Sequence, residues 1–289
     1  MADDRRPAAL LAAGLLLCAA AAWGAATHEE PAPVSGLLTR TGPAAAATDP
    51  PQPPLALRLL QYRRDEAASR VEVSATARAD VDLLSVRLDA AGFDGEGARE
   101  GQALAAGTTV DLPVAHGDPV CGAPDPALAA VEVRWRDAAG EHRAVVEPAD
   151  PDGVLQRVHD RLCGQQRVGR AVAVSLAADR AGEGVLRLER RAGDGPVSLV
   201  SVAGSVLYSL APGGPLPALD PGEAAAEVPV RVVVGRCDPH AVAESKRSSV
   251  FSAWVAVPGS PEGVYTTFSP DAASRVALDG LRARTCGHG

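Results

Sequence analysis

Short stretches of alternating apolar and polar residues dominate the chain from Leu55 onward. In each stretch, apolar side chains such as Val131, Val133 and Trp135 are separated by charged or polar ones. A period of two places one set of side chains on the buried face of a strand and the other in water. The clearest stretches in the first half are residues 55–60, 71–76, 85–88, 110–114 and 131–136. This pattern predicts a mainly β fold built as an antiparallel β-sandwich.

The period changes after residue 149. Asp150 and Pro151 form a helix start signal, and apolar residues then recur at helical spacing at Val154, Leu155 and Val158. We therefore predict a helix that begins at Asp150–Pro151 and ends at Cys163–Gly164. Residues 269–271, Ser-Pro-Asp, give the same signal near the end of the chain and predict a second helix that ends at Cys286.

The chain contains an internal repeat. Cys121, Trp135 and Cys163 are followed 116, 119 and 123 residues later by Cys237, Trp254 and Cys286. An offset that drifts in small steps is typical of a duplicated unit whose loops have changed length. We therefore predict two tandem immunoglobulin-like β-sandwich domains, residues 55–165 and 166–289, each closed by a C-terminal helix.

Two details of the second half follow from the same patterns. Residues 232–234 are three consecutive valines, which predicts a strand that is buried on both faces. The repeat places Trp135 and Trp254 at equivalent strand positions, and we predict that both pack in a core; a ligand-stacking platform is the alternative.

The N-terminus carries features of an export signal. Arg5 and Arg6 precede residues 8–26, which contain no charge and hold five leucines. Residues 1–26 are therefore predicted to be a cleavable signal peptide or a signal-anchor transmembrane helix, with everything beyond Thr27 outside the cytoplasm. Residues 27–54 are rich in Pro and Ala and predict an extended linker, which favours the uncleaved anchor and single-pass attachment to the cell membrane.

Four cysteines fall two in each predicted domain. An exported chain meets an oxidising compartment, where even cysteine numbers indicate disulfides. Three pairings are possible, and the repeat selects Cys121 with Cys163 and Cys237 with Cys286. This framework differs from that of true immunoglobulin domains, because several strands precede the first cysteine.

Charge and motifs exclude several classes of function. The chain has 28 Lys and Arg against 36 Asp and Glu, a net charge of −8, without a basic stripe, so we predict no nucleic-acid partner. The sequence contains no nucleophile elbow, zinc-protease helix or phosphate-binding glycine loop. We therefore predict a protein that is not an enzyme and needs no cofactor.

The stretch after Cys237 carries the one candidate metal site. Asp238, His240 and Glu244 are close in sequence, and His240 and Glu244 are four residues apart on a predicted short helix. The alternative is a capped and solvated helical turn without a metal.

Cys237-Asp238-Pro239-His240-Ala241 and the following residues to Trp254 resemble a group of uncharacterised exported, membrane-anchored proteins of high-GC actinobacteria. The resemblance implies export and tandem disulfide-bearing domains, and it brings no known activity with it. Together with the patterns above, it predicts an extracytoplasmic cell-envelope protein that binds or supports an unknown protein or envelope partner. It is held to the membrane by residues 8–26 if they stay uncleaved; a metal- or small-ligand-binding protein using residues 238–244 is the alternative.

Overall fold

The computed structural model describes residues 52–238, 240 and 248–287, which belong to one compact unit. The predicted N-terminal segment at residues 8–26, all but the last three residues of the predicted linker and most of the predicted short helix after Asp238 lie outside these ranges. Within the described ranges, no helix combines the length and apolar content that crossing a membrane requires.

The first half of the unit is built from two antiparallel sheets. Sheet 1 has the order β1-β2-β6, and sheet 2 has the order β4-β3-β7-β8 with β5 paired to β3. A short helix, α1 (Arg63–Glu66), follows β1. The strands are β1 (Leu55–Leu60), β2 (Arg70–Ala77), β3 (Val81–Ala90), β4 (Gly97–Glu100), β5 (Ala103–Leu104), β6 (Thr109–Ala115), β7 (Ala129–Asp137) and β8 (Gly140–Val146).

The second half follows a long helix, α2 (Val154–Ala171), and repeats most of this strand order, with β12 as an additional strand in sheet 3. Sheet 3 has the order β12-β14-β10-β9, and sheet 4 has the order β13-β11-β15-β16. The chain closes with helix α3 (Ala272–Cys286). The strands are β9 (Val172–Ala178), β10 (Glu183–Arg190), β11 (Val197–Ala203), β12 (Tyr208–Pro212), β13 (Ala218–Leu219), β14 (Ala225–Val234), β15 (Phe251–Val257) and β16 (Ser260–Phe268).

Each pair of sheets encloses its own cluster of buried apolar side chains. Sheets 1 and 2 bury residues such as Leu59, Val73 and Trp135 between them, and sheets 3 and 4 bury Leu186 and Phe251. The predicted mainly β, antiparallel, sandwich-like architecture is therefore confirmed. The division into two domains at residues 165 and 166 stays a prediction, since the described residues form one unit.

Helix α2 differs from its prediction at both ends. It begins at Val154 rather than at Asp150–Pro151, although the Asp150 carboxylate still accepts hydrogen bonds from the backbone amides of Val154 (2.7 Å) and Leu155 (3.2 Å). At its other end, α2 continues through Cys163 and Gly164 to Ala171. The predicted boundary at residues 165 and 166 therefore lies inside a continuous helix.

Gly164 lies inside α2, at a point where the helix comes close to β16. A Cβ atom on Gly164 would lie 2.8 Å from the Val264 Cγ1 atom of β16, a distance that real Cβ atoms do not adopt. The glycine lets α2 lie against β16, and Gln165 donates a hydrogen bond to the Tyr265 carbonyl (3.3 Å). Residues on α2 reach both apolar clusters, with Val158 in the first and Val168 in the second.

Helix α3 ends at Cys286, as predicted, but its cap is Asp271 rather than Ser269. The Asp271 carboxylate accepts a hydrogen bond from the Ser274 backbone amide (2.7 Å), which satisfies one of the free amides of the first turn. This bond also lowers the pKa of Asp271.

The three valines of β14 do not form a strand that is buried on both faces. Val232 is buried, but Val233 is 48% exposed. Along β14, the buried positions are Val228, Val230 and Val232, so the strand alternates like its neighbours. The prediction of burial on both faces was wrong, because apolar character alone does not fix which side of the sheet is covered.

Candidate functional site

Both pairs of cysteines form disulfides with the pairing that the repeat predicts. Cys121 is joined to Cys163 and Cys237 to Cys286, with Cα atoms 5.5 and 5.3 Å apart. The first bridge ties the loop after β6 to the middle of α2, and the second ties the end of β14 to the last residue of α3. Each bridge therefore anchors a helix to its own pair of sheets.

The predicted metal-binding stretch begins at the second disulfide. Asp238 and His240 are exposed, whereas Glu244 lies outside the described residues. Among the residues that the structure describes, no group of three or more His, Cys, Asp or Glu side chains is arranged to hold a metal ion. The metal hypothesis for Asp238, His240 and Glu244 therefore stays a prediction.

Among the described residues, Glu72 has the least exposed acidic or basic side chain, and the sequence pattern does not predict its burial. Glu72 lies in β2 on the side facing away from the apolar cluster, and α1 covers that side, so that Glu72 is only 1% exposed. One carboxylate oxygen accepts a hydrogen bond from Arg64 (3.3 Å), and the other, Oε2, has no partner. The alternating pattern of β2 predicts that Glu72 faces water. The helix that covers it, α1, has only four residues and is too short to be predicted from apolar periodicity.

Two further carboxylates lie near Glu72. Asp65 in α1 is buried and accepts a hydrogen bond from the Tyr62 backbone amide (3.0 Å). Asp111 in β6 accepts a hydrogen bond of 2.6 Å from the Tyr62 hydroxyl. Burial raises the pKa of Glu72, whereas the Tyr62 hydroxyl lowers the pKa of Asp111. Folding therefore favours the protonated form of Glu72 and the ionised form of Asp111.

The replacement Glu72→Gln should stabilise the protein at neutral pH by about 1 kcal/mol, because it removes a buried charge with an unpaired oxygen. Since folding raises the pKa of Glu72, the native protein loses stability as pH rises through that pKa. The gain from Glu72→Gln should therefore grow with rising pH and vanish below about pH 4.3, the unfolded-state value.

Asp111→Asn is the matched variant, and its expected effect on stability has the opposite sign. The pKa of Asp111 is lowered on folding, so its ionised form stabilises the protein above the unfolded-state pKa. Asp111→Asn should thus destabilise the protein at pH 7 and have little effect in acid. Urea unfolding of both variants from pH 3 to pH 8 measures this, and parallel pH profiles for the two would contradict the electrostatic assignment.

The outer surface of sheet 2 is covered by charged side chains in an ion-pair network. Glu132 in β7 accepts hydrogen bonds from Arg87 (2.9 Å) and Arg143 (2.5 Å) on the strands to either side. Arg136 pairs with Glu141 (2.5 Å) and Asp82 (3.2 Å) in the same way. We call this surface the charged face; it is formed by Arg87, Glu132, Arg134, Arg136, Glu141 and Arg143.

The corresponding outer surface of sheet 4 is uncharged and aromatic. Trp254 in β15 lies opposite Tyr265 in β16, with ring centroids 5.2 Å apart in an edge-to-face arrangement. The Ser252 and Tyr265 hydroxyls are hydrogen-bonded at 3.1 Å. We call this surface the aromatic face; it is formed by Val200, Ser201, Ser252, Trp254, Tyr265 and Thr267.

The placement of Trp254 corrects the predicted equivalence with Trp135. Both sheets carry a register irregularity at the same place in the repeat, between Leu83 and Ser85 in β3 and between Leu199 and Ser201 in β11. Leu83 is opposite Trp135, but Leu199 is opposite Val255. The equivalent of Trp135 is therefore Val255, and Trp254 points to the other face of its sheet. Trp135 is 1% exposed in the core, whereas Trp254 is half-buried on the outside.

An open cleft adjoins the first disulfide. It is lined by Cys121, Cys163, Gln166, Arg167 and Arg170 and by the turn at Gly193, and its volume is about 280 Å³. Ligand pockets usually enclose about 300 to 1,000 Å³ and bury most of the ligand. The small size and open shape of this cleft make it a weaker candidate than the aromatic face.

Comparison with known proteins identifies no family. No protein-family model matches the chain, and no curated protein matches it. Solved structures that match include a protein of unknown function from Porphyromonas gingivalis W83, with 14% identity, 75% of this chain and 98% of the other covered, and a TM-score of 0.22. The CBD12 region of CALX1.2 has 12% identity, coverage of 70% and 79%, and a TM-score of 0.18.

A third match is a bacterial ice-binding adhesin studied for host cell surface retention, with 15% identity, 75% of this chain and 62% of the other covered, and a TM-score of 0.21. All three scores are too low to carry an inference about function. The functional argument therefore has to come from the residues of this chain.

Proposed function

We propose that the chain is a non-enzymatic extracytoplasmic protein of the cell envelope that serves as a binding or structural module. It consists of two repeated immunoglobulin-like domains, which residues 8–26 hold at the outer face of the cell membrane. The repeated strand order and the two separate apolar clusters support the division into two domains.

The pair of disulfides is the observation that carries this proposal. Disulfides persist in oxidising compartments and are rare in the cytosol, where thiols are kept reduced. Cysteines 121, 163, 237 and 286 are all paired in this protein. Arg5 and Arg6 before the uncharged run at residues 8–26 agree with export of everything beyond Thr27.

Protease treatment of intact spheroplasts tests the location. We expect added protease to degrade residues 55–289 while a cytoplasmic marker protein stays intact, because the domains face outward. Protection of the chain from protease would overturn the proposal. A mature protein that begins near Thr27 and appears in the medium would keep export and overturn the membrane attachment.

A further inference from the structure

The two outer sheet surfaces of this protein share a strand order and differ in chemistry. In sheet 2, Arg134 on β7 lies opposite Arg143 on β8. In sheet 4, the equivalent positions on β15 and β16 are Trp254 and Tyr265. The charged side chains of sheet 2 pair with one another, whereas the aromatic face exposes rings and hydroxyl groups.

The aromatic face offers a ligand two kinds of contact. Tyr265 is 39% exposed and Val200 is 48% exposed, so apolar and aromatic surface is accessible. Ser201, Ser252 and Thr267 flank the rings and supply hydroxyl groups that both donate and accept hydrogen bonds. Rings beside hydroxyls fit a ligand that itself alternates apolar and hydroxyl-bearing surface, as a sugar ring does.

The lack of charged side chains on the aromatic face favours a neutral ligand. Among the described strand residues of sheet 4, Glu262 near the β15–β16 turn is the only one with an acidic or basic side chain. The six residues of the aromatic face are uncharged. A charged partner would lose solvation there without gaining an ion pair.

Three strands about 4.8 Å apart and about five residues long present roughly 200 Å², whereas a stable protein partner covers about 800 Å². The face is thus too small for a second copy of the chain and matches a narrow, extended ligand.

We propose that the aromatic face binds a neutral polysaccharide, with Trp254 and Tyr265 packing against sugar rings and the flanking hydroxyls bonding to them. This inference deepens the proposed envelope function and rests on it, since a neutral envelope polymer is met outside the membrane. Gly263 supports the face: a Cβ atom there would lie 3.1 Å from Val200 Cγ2 and 3.3 Å from Trp254 Cβ. The glycine lets these two side chains lie close together.

Affinity electrophoresis of the purified full chain tests the proposal. The native gels contain a soluble β-glucan, an α-mannan or an arabinogalactan, with polygalacturonate as the anionic polymer. At least one neutral polymer should retard the protein, and Trp254→Ala and Tyr265→Ala should each weaken that binding about tenfold through loss of ring contact. Ser201→Arg, which places a charge on the face, should weaken it as well.

Val145→Ser is the matched control, because Val145 is 66% exposed on β8, the strand of sheet 2 that corresponds to β16. It should bind like the native chain. The proposal is overturned if none of the neutral polymers retards the protein, if only polygalacturonate does, or if Trp254→Ala and Tyr265→Ala bind unchanged.

Melting temperatures of the variants show that each is folded, and Trp254→Phe, which keeps an aromatic ring, should retain most of the binding. Sedimentation showing that the aromatic face instead pairs two copies would also overturn the proposal. The electrophoresis uses purified protein and tests binding, whereas the spheroplast experiment tests location. Either proposal can therefore fail while the other stands.

Discussion

Replacing Cys121 and Cys163 together by Ser should lower the free energy of unfolding by about 4 kcal/mol. The bridge closes a loop with a sequence separation of 42 residues, and its removal restores the conformational entropy of that loop to the unfolded chain. Cys163 is 7% exposed in the middle of α2, so the replacement also buries a hydroxyl group where the apolar sulfur packed. Since a whole domain is typically stable by 5–15 kcal/mol, such a loss is large.

Replacing Cys237 and Cys286 together by Ser tests whether the loss of stability depends on where the bridge lies in the fold. Its loop has a separation of 49 residues, so chain entropy alone predicts a similar loss of about 4 kcal/mol. Urea unfolding of the native protein and both variants gives the values. Losses below about 1 kcal/mol for both variants would contradict the stabilising role of the bridges. Non-reducing peptide mapping checks the pairing directly.

Trp135→Ala should cost about 3–5 kcal/mol of stability, because it opens a cavity between sheets 1 and 2. Trp135 is 1% exposed, packs in the first apolar cluster and stacks on His142 with ring centroids 5.2 Å apart. It is one of the largest fully buried side chains of the described residues.

Trp254→Ala removes the same side chain from a half-buried surface position. The expected loss is about 1 kcal/mol, mostly from the edge-to-face contact with Tyr265. Thermal or urea unfolding of the two variants therefore separates a core tryptophan from a surface one. Equal losses would contradict the assignment of Trp254 to the outer face and would weaken the case for a binding surface there.

The alternation of apolar residues predicted the strands well, because most strands have one covered and one solvated face. It failed for Glu72, since α1 covers the face of β2 that the pattern assigns to water. The repeat was misleading for Trp254, because spacing along the chain does not reveal by how much the segments between the strands differ in length. The offset of the repeat is 116 residues between Leu83 and Leu199 but 120 between Trp135 and Val255, the residues opposite them. Trp254 therefore lies one residue from the equivalent position, and one residue reverses the face.

The candidate surface could be predicted only in part. The repeat draws attention to Trp254, for which stacking on a ligand is the alternative to packing in a core. Tyr265 carried no signal of its own, since its role depends on pairing with Trp254 across two strands. The scarcity of charge in sheet 4 is visible in its strand sequences, but the register is needed to tell which of these residues face outward. Gly164 was misleading, because a glycine after an apolar stripe usually marks the end of a helix.

The continuous course of α2 determines how this protein can be dissected. The helix has 18 residues and is about 27 Å long. A fragment ending at Gln165 would keep the Cys121–Cys163 bridge but lose the last third of α2. The complementary fragment would retain Arg167, whose guanidinium donates a hydrogen bond of 2.6 Å to the Ser260 hydroxyl, on a helical stub too short to be stable alone. Leaving α2 whole with the second half would keep its contacts with β16, but it would break the Cys121–Cys163 bridge and remove Val158 from the first apolar cluster. Either cut therefore deprives one half of residues that its fold uses.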